Sequence, residues 1–76
     1  MNLTKKQKRK LIGVTIDTNQ FTRKVKTSKE AEEVFAKLIT VYSKDILEYM
    51  CWNGRAFSTY AKDGMKLSTF LEEAEK

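Results

Sequence analysis

Residues 27–54, TSKEAEEVFAKLITVYSKDILEYMCWNG, decide how the rest of this 76-residue chain can fold. Apolar residues recur there at steps of three and four, which places them on one face of a helix that turns about 100° per residue. Thr27 and Glu30 form a capping box at the start, and Asn53-Gly54 tolerate the left-handed conformation that ends helices. The pattern predicts one helix over 28–52, whose apolar face comprises Ala31, Phe35, Leu38, Ile39, Tyr42, Ile46, Tyr49 and Met50.

The predicted helix is long for so short a chain. At about 1.5 Å per residue it would measure roughly 37 Å, whereas a compact chain of this length is about 30 Å across. Two outcomes remain open: the helix breaks near Ser43, or its exposed end packs on another molecule, for which a homodimer is the simplest case. Three further residues widen the apolar stripe and are the predicted protein interface: Val34, Val41 and Trp52.

The segment before this helix has the pattern of a β-hairpin. Ile12, Val14 and Ile16 alternate with small and polar residues, which is the period of a half-buried strand. Residues 17–20 supply turn chemistry, and residues 21–26 are again rich in β-prone side chains. We therefore expect a hairpin here, although Arg23 falls on the inward side of its second strand.

The chain ends differ in character. Thr4 and Gln7 form a capping box, so the basic N-terminal arm predicted over residues 1–10 begins with a helical turn, and residues 11–76 form a single compact domain. After Gly54, apolar residues over 56–61 predict a short helix. Thr69 and Glu72 form another capping box, which predicts a final helix that begins there.

These elements together predict an α+β fold, in which an N-terminal β-hairpin packs on a long central helix that two short helices follow. The alternative is an all-α chain. In that arrangement residues 4–18 form a helix, the following segment is a loop, and three helices include a long central one.

Composition excludes several classes of protein. Cys51 is the single cysteine and the chain has no histidine, so an internal disulfide and a Cys/His zinc site are both excluded. The apolar runs are far shorter than the ~20 residues that cross a bilayer, and no secretory leader is recognisable. We expect a cytoplasmic protein, or a nuclear one in a eukaryote, neither secreted nor membrane-spanning.

Catalytic patterns are missing too. Without histidine nothing activates Cys51 as a nucleophile, and glycine-rich phosphate loops and nucleophile elbows are absent. The expectation is a protein that is not an enzyme, with no catalytic residues, no metal and no cofactor, in which Cys51 packs as a small apolar side chain.

Positive charge is concentrated at the beginning of the chain. The net charge is +5, yet residues 1–26 contain eight Lys and Arg against one Asp. Such blocks of like charge favour a polyanionic partner. The chain is therefore predicted to bind nucleic acid through phosphate contacts of Lys5, Lys6, Lys8, Arg9, Lys10, Arg23, Lys24 and Lys26.

Two further hypotheses concern the partner. Trp52, Arg55 and Phe57 offer two rings and a planar cation, which suits stacking on an unpaired base, although aromatic residues at such spacing also serve as core. The alternative function is a small regulator or inhibitor that docks through its long helix on a larger protein with an acidic surface. A role on membranes is not expected, because the lysines are not interleaved with large apolar residues.

Overall fold

The computed structural model describes residues 2–76, and within them the chain forms four helices and one four-stranded sheet. This confirms the α+β class and excludes the all-α alternative, since residues 4–18 include both a helix and a strand. The elements in chain order are α1 (Lys5–Leu11), β1 (Thr15–Asp17), β2 (Thr22–Lys24), α2 (Ser28–Tyr42), α3 (Ile46–Tyr49), β3 (Cys51–Trp52), β4 (Phe57–Ser58) and α4 (Leu67–Glu73).

The sheet has the strand order β2-β1-β4-β3, so the two halves of the chain meet at its centre. β1 pairs with β2 antiparallel and with β4 parallel, and β3 pairs with β4 antiparallel. Ile16 lies opposite both Arg23 and Phe57. Because residues opposite each other share a face of a sheet, Arg23 does lie on the inward side of its strand, as its position in the sequence indicates.

The predicted hairpin is present, but it begins later than the alternation of apolar residues suggests. Ile12 is 42% exposed and follows the last turn of α1, whereas Ile16 is buried. The helix that starts at the Thr4 cap extends through Leu11, so Ile12 is the C-cap residue of α1 and lies outside β1. In the turn, the Thr18 hydroxyl accepts hydrogen bonds from the backbone N–H groups of Gln20 and Phe21.

The prediction of one helix over 28–52 is wrong, and the break near Ser43 is what the structure shows. α2 ends at Tyr42, and Ser43 has a φ of 73°, a conformation that ends the helix. The periodic apolar residues continue because Ile46, Leu47 and Met50 reach the same core from α3 and from its C-cap. The domain measures 28 × 25 × 21 Å, so no overhanging helix is left for a second copy to cover.

Two predictions for the C-terminal part are also wrong. The helix expected over 56–61 is instead β4, because the Asn53 side-chain oxygen accepts hydrogen bonds from the N–H groups of Arg55 and Ala56 and reverses the chain. The final helix begins at Leu67 rather than at Thr69. Its start is set by the Leu67 N–H, which donates to the Met50 carbonyl at 3.0 Å.

The core lies between the sheet and the helices. The buried side chains of α2 pack against Ile16, Val25 and Phe57, and the remaining sides are closed by α1, α3 and α4. Within residues 2–76, no helix is long and apolar enough to cross a bilayer. The buried apolar set comprises Leu3, Leu11, Ile16, Val25, Ala31, Val34, Phe35, Leu38, Ile46, Leu47, Met50, Phe57, Leu67 and Leu71.

Gly64 is required where the loop before α4 passes β3. Its φ is +117°, and a Cβ there would lie 2.0 Å from the Trp52 carbonyl oxygen. We expect Gly64→Ala to lower the free energy of unfolding by about 3 kcal/mol, measured by urea denaturation. Gly13→Ala is the matched control, because Gly13 has a φ of +93° but open space around it, and only the conformational penalty of about 1 kcal/mol applies. Equal losses would contradict the close approach.

Ser43 is a site where stability can be gained. A φ of 73° with a ψ of 174° is a conformation that glycine adopts readily and other residues do not. Ser43→Gly should raise the free energy of unfolding by about 0.5 to 1 kcal/mol, since the relieved strain exceeds the entropy that glycine adds to the unfolded chain. Ser43→Ala retains the strained backbone and should change the same free energy by less than about 0.5 kcal/mol.

Candidate nucleic-acid interface

The basic segment forms helix α1, and that helix is held against the domain. The Thr4 hydroxyl accepts from the Gln7 N–H and the Gln7 side chain accepts from the Thr4 N–H, which completes the predicted capping box. Leu3 and Leu11 are buried, and α1 packs on α2. The boundary drawn at residue 10 between an arm and a domain therefore falls inside this packed helix.

A second set of contacts ties α1 to the C-terminal helix. The Gln7 amide donates to the Leu71 carbonyl at 3.1 Å, and the Thr4 hydroxyl hydrogen-bonds to the Glu75 carboxylate. Because α1 is anchored to α2 on one side and to α4 on the other, the direction of its cationic side chains is set by the fold.

Two of the five cations on α1 are engaged within the domain. Lys8 is partly buried and pairs with Glu32 of α2 at 3.5 Å. The Lys10 ammonium lies 4.7 Å from the centre of the Phe70 ring, a cation–π distance. The side of α1 that faces away from Leu11 carries the remaining three, Lys5, Lys6 and Arg9, all exposed. We call Lys5, Lys6, Arg9 and Lys10 the basic face.

The segment that connects β2 to α2 runs beside the basic face. The Val25 carbonyl accepts from the Gly13 N–H at 2.7 Å, just beyond the end of α1. Ser28 lines a shallow cleft of about 340 Å³ together with Lys5, Lys8 and Arg9. Lys26, which is exposed and lies between Val25 and Ser28, is thereby placed next to α1.

Two further cations lie in β2, which is an edge strand of the sheet. Arg23 and Lys24 are both exposed, and they alternate across the ladder, with Arg23 opposite Ile16 and Lys24 opposite Thr15. The structure thus exposes Lys5, Lys6 and Arg9 on α1, with Lys26 in the segment that runs beside this helix. It leaves Lys8 and Lys10 in contacts within the domain and places Arg23 and Lys24 on the outer edge of the sheet.

The structure does not present the three residues predicted to stack on a base as one exposed surface. Phe57 is 1% exposed, and its ring packs edge-on against Trp52 at 5.2 Å and Phe70 at 5.0 Å. It is a core residue and offers no free face. Arg55 lines a polar cleft with Asp17 and Thr22. Of the two aromatic rings, only that of Trp52, which is 36% exposed, remains available for stacking on a base.

Trp52 lines an apolar cleft that the sequence did not reveal. The cleft has a volume of about 290 Å³ and is lined by Lys10, Val14, Trp52, Phe57, Met65 and Phe70. These residues come from α1, the loop before β1, the β3–β4 hairpin, the loop before α4, and α4 itself. The exposed Met65 directly after Gly64 is the one local signal in the sequence, and it does not indicate which elements it would face.

The predicted protein interface requires a correction at Val34. Val34 is 2% exposed and belongs to the core beneath α2, so it cannot contact a partner while the domain is folded. Val41 is 40% exposed near the end of α2, and Trp52 lies in the apolar cleft. Because α2 stops at Tyr42, the long apolar face on which docking depended is mostly buried inside the domain.

Side chains suited to metal binding do not converge in the described part of the chain. Residues 2–76 contain no cluster of three or more Cys, Asp or Glu side chains able to hold a metal ion. Cys51 is buried as a free thiol, and its Sγ lies 3.7 Å from the Tyr49 carbonyl oxygen.

Comparison with protein-family models, with characterised proteins and with solved structures finds no match to this chain. Function is therefore inferred from the geometry of its surfaces.

The structural role of Phe57 leads to a prediction about stability. Phe57→Leu should lower the free energy of unfolding by about 1 to 2 kcal/mol, because the smaller side chain leaves space between Trp52 and Phe70. Arg55→Ala, two residues away and exposed, should change it by less than about 0.5 kcal/mol. Urea denaturation of both variants is the measurement. A larger loss for Arg55→Ala would show that the core role is misassigned.

Proposed function

We propose that this chain is a small non-enzymatic protein that binds nucleic acid through phosphate contacts of the basic face of α1 and the neighbouring Lys26. The observation that carries the proposal is the exposure of Lys5, Lys6 and Arg9 on a helix fixed to the domain at both ends. Side chains on a fixed helix lose less freedom on binding than side chains of an unfolded tail.

The position of Lys5 and Lys6 supports an external anion. Cations in the last turn of a helix interact favourably with its dipole, as Lys8, Arg9 and Lys10 do in α1. Lys5 and Lys6 lie in the first turn, which contains no acidic residue and where the dipole disfavours positive charge. Stability of α1 does not explain these two lysines, whereas contact with a polyanion does.

The arrangement favours recognition of the backbone over recognition of a sequence. Lysine and arginine on an exposed helix contact phosphates without reading bases, and each neutralised phosphate releases condensed counterions. Three to five phosphate contacts correspond to a slope of log K against log salt of roughly −3 to −4.5 on duplex DNA. Docking of α2 on an acidic protein, the second proposal, is supported only by the exposed Val41.

The proposal is tested by removing the three cations of the basic face that make no contact within the domain, without disturbing the helix. The triple variant Lys5→Ala, Lys6→Ala, Arg9→Ala retains good helix formers. In a salt titration of binding to a labelled oligonucleotide, it should flatten the slope by roughly 2 to 3. The matched control replaces Lys37, Lys44 and Lys62 with alanine, which removes the same charge from other exposed positions and should leave most of the slope.

Two outcomes would reject the proposal. The first is no detectable binding of the unaltered protein at about 50 mM salt, where phosphate contacts are strong. The second is an equal loss in the control variant, which would indicate that attraction by net charge alone, and no defined surface, is responsible. Circular dichroism of both variants establishes that the fold is retained.

A further inference from the structure

The apolar cleft and the basic face meet at Lys10. Its ammonium lies over the Phe70 ring at the rim of the cleft, while its backbone belongs to α1. The other five residues that line the cleft are apolar, and Trp52 and Met65 among them are exposed. A ligand that follows the basic face therefore passes the opening of an aromatic cleft.

The walls of the cleft are held by contacts within the domain. Trp52 is held by its place opposite Phe57 in the sheet and by its N–H, which donates to the Met65 carbonyl at 2.8 Å. Phe57 contacts both Trp52 and Phe70 edge-on. The walls are thus in place before any ligand arrives, and ordering them on binding carries little entropic penalty.

We propose that the cleft receives an unpaired base of a single-stranded nucleic acid whose phosphates lie along the basic face. The inference rests on the proposed function and adds a preference to it. Aromatic side chains beside a positively charged surface are the means by which proteins bind single strands, because every base has a π-face that can stack. The bases of a duplex are stacked on one another and cannot enter the cleft.

The chemistry of the cleft matches a base more closely than an apolar peptide. Peptide grooves accept several side chains spaced along a helix or strand, whereas this cleft is one short depression. Its volume of about 290 Å³ lies at the lower limit of ligand sites, which suits a small flat group. Lys10 lines the cleft, and Lys6 precedes it by one turn of α1, so cations are available for the phosphate contacts that a neighbouring nucleotide requires.

Trp52 is the only tryptophan in the chain, so its fluorescence reports on the cleft. Three probes of about 10 nucleotides, within the site size of small single-strand binders, are compared: an oligothymidylate, an abasic strand with the same phosphates, and a duplex. We expect the oligothymidylate to quench Trp52 emission. The abasic strand and the duplex should bind the basic face without quenching it.

Variants of Trp52 measure the contribution of stacking. Trp52→Leu should weaken oligothymidylate binding roughly 5- to 150-fold, which corresponds to the loss of one stacked base. Trp52→Phe should retain most of the affinity. Binding of the abasic strand should be unchanged in both variants. Tyr60→Leu, which removes an exposed aromatic ring outside the cleft, is the matched control and should bind as the unaltered protein does.

The outcomes separate this inference from the proposed function. If Trp52→Leu is folded by circular dichroism and binds all probes normally, or if the oligothymidylate binds without quenching Trp52 emission, the base site is rejected and phosphate binding stands. If no probe binds at all, both are rejected. Quenching by an acidic apolar peptide but by none of the nucleic acids would assign the cleft to a protein partner instead.

Discussion

The parallel pairing of β1 with β4 is the constraint on which the rest of this structure depends. Ile16 lies opposite Phe57 and Asp17 opposite Ser58, and the Thr59 N–H extends the contact to the Asp17 carbonyl at 3.2 Å. These contacts join two hairpins that are far apart in the chain. Since α2 lies in the connection between them and its buried side chains share one core with Ile16 and Phe57, the same pairing that closes the core also brings Trp52 beside Lys10 and Val14.

The sequence was sufficient to predict helix starts and turns that depend only on neighbouring residues. The capping residues Thr4 and Thr27 mark the starts of α1 and α2, and the turn at Thr18 follows from ordinary turn chemistry. Signals of this kind led to wrong predictions where one pair of residues fits two different local structures. Asn53-Gly54 suits the end of a helix, but here the Asn53 side chain closes the β3–β4 hairpin. The apolar periodicity continues past Ser43 because residues on both sides of it are buried in the same core. Such a pattern does not require a continuous helix.

In the candidate site too, some features could be predicted from the sequence and others depend on how distant parts of the chain pack together. The exposed cations of α1 could be identified from sequence, because five charges in six residues cannot all be buried. The burial of Val34 and Phe57 could not be predicted from the neighbouring residues in the sequence, since it depends on which distant residues pack over them. The apolar cleft is built from five separate parts of the chain, and only the pairing at the centre of the sheet brings them together.

Two features of the surface are unfavourable for an isolated small domain, and Lys10 connects them because it belongs to α1 and lines the apolar cleft. Lys5 and Lys6 place charge where the dipole of α1 opposes it, and Trp52 and Met65 leave apolar surface in water that a small core could otherwise bury. A purely anionic partner would relieve only the first, and a purely apolar partner only the second. A ligand that carries both negative charge and apolar groups would relieve both. The backbone and bases of a single strand have this arrangement, which is why the proposals for α1 and for the cleft support each other.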